Sequence, residues 1–176
     1  RQLAKYQDTW NDLPAKWVSQ DNLHITLVFL GYISDVELGE VCMIAKKVAE
    51  RHTSFEVTLH KVAYGPEGKL PPRMVWVGGV KSRELSSLKK ELQDAFLEKI
   101  NFVPDHKSFS PHVTLARISA FLWRQINTEE RPEVDENINM HIAVESIEVM
   151  ESELKKTGPH YSVLESFTLR NNLSKF

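Results

Sequence analysis

Two stretches of this chain, HITLVFLG at residues 24–31 and HVTLARI at 112–118, spell one pattern: histidine, a β-branched residue, threonine, leucine. The chain holds seven His, 8 Thr and 18 Leu. One such match then arises by chance about once in thirty, and two about once in two thousand, counted against the template. Alternating β-branched residues of this kind read as strand. A chain that writes the same strand twice is constrained to build one local unit twice.

The surroundings repeat as well. YGPEGKLPPR, 64–73, is a Gly/Pro-rich connection that divides the sequence. After it come a strand (MVWVGGV), then a helix capped by Ser82 that carries Leu85, Leu88, Leu92, Ala95 and Phe96. Next are the HVTL strand, with Pro111 forbidding helix at its start, a short helix in AFLWRQINTEE and a strand, IAVESIEVM. Before the connection, Leu3, Tyr6 and Trp10 predict a helix over 1–12, followed by strands in AKWVS and LHITLVFL. A helix then starts from Ser34 or Asp35, with Leu38, Val41, Cys42, Ala45, Val48 and Ala49 at helical spacing, and FEVTLHKV follows as a strand. YSVLESFTL is the closing strand, joined to IAVESIEVM across ESELKKTGPH with its Gly158-Pro159 turn signal. The two orders match except that the first half lacks an opening strand, which is expected to belong just before residue 1. One domain over 1–176 is expected, its lobes roughly 1–63 and 73–176.

Composition narrows the function classes. A chain of 176 residues, 41% hydrophobic and 26% charged, suits one globular domain. Its single cysteine, Cys42, excludes an internal disulfide and a Cys-rich zinc site, and reads as a small core residue in a reducing compartment. No apolar run approaches a membrane span and no signal-peptide core is present, so a cytoplasmic monomer with no membrane partner is expected. A formal net charge of −2 argues against gripping long nucleic-acid backbones, but not against one phosphate at a strand's end.

Alternation puts His24 and Thr26 on one strand face, and His112 and Thr114 on another, with branched apolar residues behind. If the halves are related by approximate two-fold symmetry, two imidazoles and two hydroxyls can converge across a cleft. Such a pair suits in-line displacement at phosphorus: one imidazole activates water while the other, opposite, protonates the leaving oxygen. Hydroxyls can bond the non-bridging oxygens, and Arg117 offers a fork-shaped cation for phosphate. Strict alternation puts Arg117 on the face opposite His112, so it reaches the site only through a bulge, strand-end twist or side-chain length. His52, His60, His106, His141 and His160 read as solvated surface residues. Trp76 and Phe109 read as core packing in preference to base-stacking platforms. No H-E-x-x-H or Cys/His ligand set occurs, so no metal or cofactor is expected.

HITLVFLG and PHVTLAR resemble the paired H-x-T-x motifs of the 2H phosphoesterases, nearest to the bacterial and archaeal RNA 2′,3′-cyclic phosphodiesterases, also called 2′-5′ RNA ligases. RMVWVGG and ESELKKTGPHYSVLESFTL extend the likeness across residues 3–169. The resemblance implies a bilobal α+β fold, two pseudo-symmetric antiparallel sheets with outer helices around a central groove. It also implies metal-independent hydrolysis of an RNA terminal 2′,3′-cyclic phosphate to a 2′-phosphate. By that analogy His24 is the proton donor to the leaving 3′ oxygen, His112 the base that activates water, and Thr26, Thr114 and Arg117 the phosphate holders. Family members usually open with a hydrophobic strand before the first helix, and this sequence shows none. The alternatives left open are a 2′-5′ RNA ligase or 2′-5′ phosphodiesterase using the same groove, or a non-catalytic module that binds nucleotides or RNA ends.

Overall fold

The computed structural model of the chain describes residues 2–104, 108–155 and 158–171. The fold is α+β, with two antiparallel sheets and α-helices. In chain order the elements are α1 (Lys5–Thr9), β1 (Ala15–Trp17), α2 (Asp35–Ala49), β2 (Phe55–Gly65), β3 (Met74–Gly79), α3 (Arg83–Lys99), β4 (His112–Ile118), α4 (Ala120–Gln125), β5 (Asp135–Val144), β6 (Ser146–Lys155) and β7 (Gly158–Thr168). A five-stranded sheet runs β1-β4-β3-β2-β5, and β6 and β7 form a two-stranded one. No helix among the described residues is long and apolar enough to cross a membrane.

Contacts divide the chain into two compact units, each drawn from three segments. The first holds residues 1–26, 58–80 and 110–141; the second holds 27–57, 81–109 and 142–176. The division is therefore interleaved along the sequence, a different partition from a cut at residues 64–73.

In the first unit the sheet's inner face is apolar because alternate residues point inward. Val75 and Val77 of β3, and Val113 and Leu115 of β4, are buried, as are Leu59 and Val62 of β2. Tyr6 is buried too and stacks on Trp10, ring centroids 5.3 Å apart, as the helical spacing of Leu3, Tyr6 and Trp10 predicts. Its hydroxyl donates to Glu136 Oε1 at 3.0 Å, and burial together with that carboxylate pushes the phenol up to about 12.

The second unit is organised by α2 and α3. Ser34 caps α2 in a capping box with Glu37, and Ser82 caps α3 by accepting from the Leu85 N–H. Val41, Val48 and Ala49 of α2 meet Leu88, Leu92 and Phe96 of α3 over Ile147 and Leu169. Cys42 lies on α2 but is only half-buried, so it is at the margin of this core. Burial and the Glu165 carboxylate push its thiol up.

Three local expectations change. LHITLVFL does not form a continuous strand: Ile25 makes a single antiparallel bridge to Val113. IAVESIEVM, expected as one strand, is divided at Glu145 between β6 and β5, the latter starting at Asp135 and lying beside β2 as the sheet's edge. Gly158 and Pro159 are not a turn but the start of β7, where Gly158 pairs with Lys155.

Candidate active site

The first unit contains all five residues singled out by the motifs: His24, Thr26, His112, Thr114 and Arg117. The two motifs are neighbours, joined by an antiparallel bridge between Ile25 and Val113. Paired residues of an antiparallel bridge point to the same side, so their neighbours point together to the other. His24 and His112 therefore flank the bridged pair, on the side opposite Ile25 and Val113.

Each imidazole is held in the same way. His24 Nδ1 is 2.7 Å from the Asn22 carbonyl oxygen, and His112 Nδ1 is 2.9 Å from the Ser110 carbonyl oxygen. A carbonyl only accepts, so in each ring Nδ1 carries the proton and donates it. The nitrogen that exchanges protons is then Nε2 in both. Both rings are half-buried, whereas Thr26 is exposed. The sequence carries no signal for this tethering, because the partners are backbone carbonyls, which leave no mark on residue identity.

Arg117 reaches the same face through a bulge. Val75 pairs with Ala116 but Trp76 pairs with Thr114, so Leu115 is an extra residue in β4. Leu115 and Ala116 are consecutive and both buried. The parity of the strand shifts by one, and Arg117 emerges beside Thr114 and His112. Both Thr114 Oγ1 and Arg117 Nη1 lie 3.9 Å from the Met74 sulfur.

Trp76 corrects the sequence reading. It is half-buried on this polar face, outside the hydrophobic core, and its indole stacks on the His112 imidazole at a centroid distance of 3.8 Å. Alternation explains the error: Val75 and Val77 take the inward positions and leave Trp76 the outward one. Phe109, also expected in the core, is half-buried with the Lys89 ammonium 5.4 Å above its ring.

The other histidines divide. His60 is exposed as expected, yet it sits at a β2 irregularity with Cε1 only 3.1 Å from where a Cβ on Gly78 would stand. Because Gly78 pairs with His112, His60 borders this face. His141 and His160 are exposed, and His141 Nδ1 is 3.2 Å from Thr58 Oγ1. His52 is not a solvated residue: its Nε2 lies 2.6 Å from Glu91 and its side chain is only 14% exposed. His106 falls outside the described residues.

The arrangement offers two imidazoles with Nε2 as the working atom, two hydroxyls and a guanidinium, all on one face. Known proteins share its framework. The family described as LigT like phosphoesterase matches residues 1–76. A protein of Aquifex aeolicus named RNA 2′,3′-cyclic phosphodiesterase is 32% identical over 162 residues, covering 88% of this chain and 81% of that protein. One of the same name from Aeropyrum pernix is 31% identical over 169 residues, covering 92% of each. The crystal structure of a Thermus thermophilus protein superposes with a TM-score of 0.83 at 28% identity, covering 97% of this chain and 91% of that one. Identity at this level over nearly the whole length, together with a shared fold, makes the chain a phosphoesterase of the LigT-like 2H family.

Proposed function

We propose that the protein hydrolyses the terminal 2′,3′-cyclic phosphate of RNA to a 2′-phosphate by two-histidine acid–base catalysis. The observation that carries this reading is the matched tethering of His24 and His112 by carbonyls two residues upstream, in segments bridged at Ile25 and Val113. The relatives named RNA 2′,3′-cyclic phosphodiesterase support the substrate class.

In the reaction, water attacks phosphorus while His112 Nε2 takes its proton. The P–O3′ bond breaks in line, and His24, protonated at Nε2, gives its proton to the departing oxygen. The product carries a 2′-phosphate and a free 3′ hydroxyl. Thr26, Thr114 and Arg117 meet the non-bridging oxygens, where negative charge gathers. The assignment of His24 as acid and His112 as base follows the family resemblance. The chemistry requires no metal, since both proton transfers and the charge stabilisation are supplied by side chains.

The test is incubation with an oligoribonucleotide ending in a 2′,3′-cyclic phosphate, with the product resolved as 2′- or 3′-phosphate. A 2′-phosphate made by the native protein and not by His112→Ala is expected. A 3′-phosphate, or tight retention of the oligonucleotide without turnover, would overturn the reading.

A further inference from the structure

The Trp76 indole lies face to face on the His112 imidazole, with centroids 3.8 Å apart and planes inclined by 23°. We propose that Trp76 is a positioning residue for phosphodiester cleavage, acting through His112. The inference rests on the acid–base reading above and deepens it.

An imidazole held only by one hydrogen bond can still swing about that bond. The Ser110 carbonyl fixes Nδ1 of His112 in the ring plane, 2.9 Å away, but it leaves the tilt of the ring open. The indole face closes that freedom. Nε2 then points in one direction, which general-base catalysis needs because proton transfer requires hydrogen-bond reach and alignment. As His112 takes a proton its ring becomes cationic, and an indole face attracts a cation more strongly than other aromatic faces do.

The indole is itself anchored. Its Nε1–H points at the Met74 sulfur at 3.4 Å. Gly65 lies against the indole, where a Cβ would collide with Cδ2 and stand only 2.5 Å from Cε3. No real Cβ tolerates such an approach, so glycine at 65 is what makes room for the indole. The indole thus meets a residue of each neighbouring strand, Gly65 of β2 and His112 of β4. A tryptophan whose task was to fill the core would face inward, as Val75 and Val77 do.

The stack gives a test with an internal control. Trp76→Leu, Trp76→Phe, Gly65→Ala and the Trp76→Leu/Gly65→Ala double variant are compared for kcat and KM on RNA ending in a 2′,3′-cyclic phosphate. Trp76→Leu is expected to lower kcat roughly tenfold with KM nearly unchanged, a loss within the range of a misaligned proton-transfer group. Trp76→Phe, which keeps a planar ring, recovers most of it. Gly65→Ala reproduces the loss by displacing the indole, and adds nothing in the Trp76→Leu background, where no indole remains to displace. In ligand-free protein, the His112 Nδ1–H resonance is expected to be sharp in the native chain and broadened in Trp76→Leu.

Additive losses from the two sites, or a rise in KM at constant kcat, would overturn the proposal; the latter would mark Trp76 as a platform for the substrate's base. An unchanged His112 resonance in Trp76→Leu would overturn it equally. If Trp76→Leu does not fold, Trp76→Phe and Gly65→Ala decide the matter by the same kinetics and resonance. The resonance needs no substrate, so it judges the stack even if the protein cleaves no cyclic phosphate.

Discussion

Thr114 and Arg117 share one face of β4 although an odd number of positions separates them, and each reaches the Met74 sulfur at 3.9 Å. The cause is the extra residue at Leu115. Without it Arg117 would point with Val113 and Leu115 into the apolar side. The bulge therefore delivers a planar cation to the polar face. Replacing Arg117 by Lys keeps the charge but removes the fork that can meet two phosphate oxygens at once. Steady-state kinetics on the cyclic-phosphate substrate are expected to show roughly a tenfold loss of kcat/KM for Arg117→Lys, and a larger one for Arg117→Ala. Native kinetics in Arg117→Lys would mean that charge alone suffices there.

His24 and His112 are expected to fail differently when removed. Replacing either by Ala should lower kcat on the order of a hundredfold or more, since each moves a proton in the transition state. The native pH–rate profile is expected to be bell-shaped, one limb for loss of the base and one for loss of the acid. His112→Ala should lose the limb that rises with pH, and His24→Ala the limb that falls. The double variant should be little worse than either single one, because the residues act as a unit. Activity that collapses on adding a chelator would contradict this scheme.

Much of this arrangement was legible in sequence, for a local reason. Ser34 and Ser82 announce their helices because a cap and the apolar spacing behind it are both short-range. The second H-x-T-L copy is the strand its alternation predicts, whereas the first makes only a single bridge. What was not legible depends on register between distant strands. The bulge at Leu115 exists only relative to β3, so alternation alone puts Arg117 on the wrong side. Trp76 reads as core because a large aromatic between valines is usually buried, yet alternation with the buried Val75 and Val77 turns it outward. The carbonyls of Asn22 and Ser110 are invisible in principle, being common to every residue.

The second unit's stability is expected to rest on its helix–helix seam. Leu88 is fully buried between α2 and α3. Leu88→Ala removes its methyl groups and leaves a cavity, at a cost of about 2–5 kcal/mol. Ser34→Ala, which breaks only the cap on α2, should cost about 1 kcal/mol. Urea unfolding measures both, and a cap variant more damaging than the core variant would reverse this ranking.

Acid should weaken the same unit through Glu91. Burial alone would raise its carboxyl, but the hydrogen bond from His52 and the charge of Arg51 outweigh burial and hold it below its ordinary value of 4.5. His52 Nε2 stands 2.6 Å from one carboxylate oxygen and Arg51 Nη2 2.5 Å from the other. Arg51 and His52 follow α2 and Glu91 lies on α3, so the group ties the end of one helix to the middle of the other. Because folding lowers the carboxyl's affinity for protons, its stabilisation is complete above the unfolded value and is lost as pH falls through the lower folded one. The carboxylate is about a third exposed, and solvent screening limits the contribution to about 1 kcal/mol or less. Glu91→Gln should therefore be less stable than the native chain at neutral pH, and the gap should close as pH drops below 4.5. Urea midpoints measured across that range test this, and a gap that stays constant down to strongly acidic pH would show that the carboxylate's charge contributes nothing there.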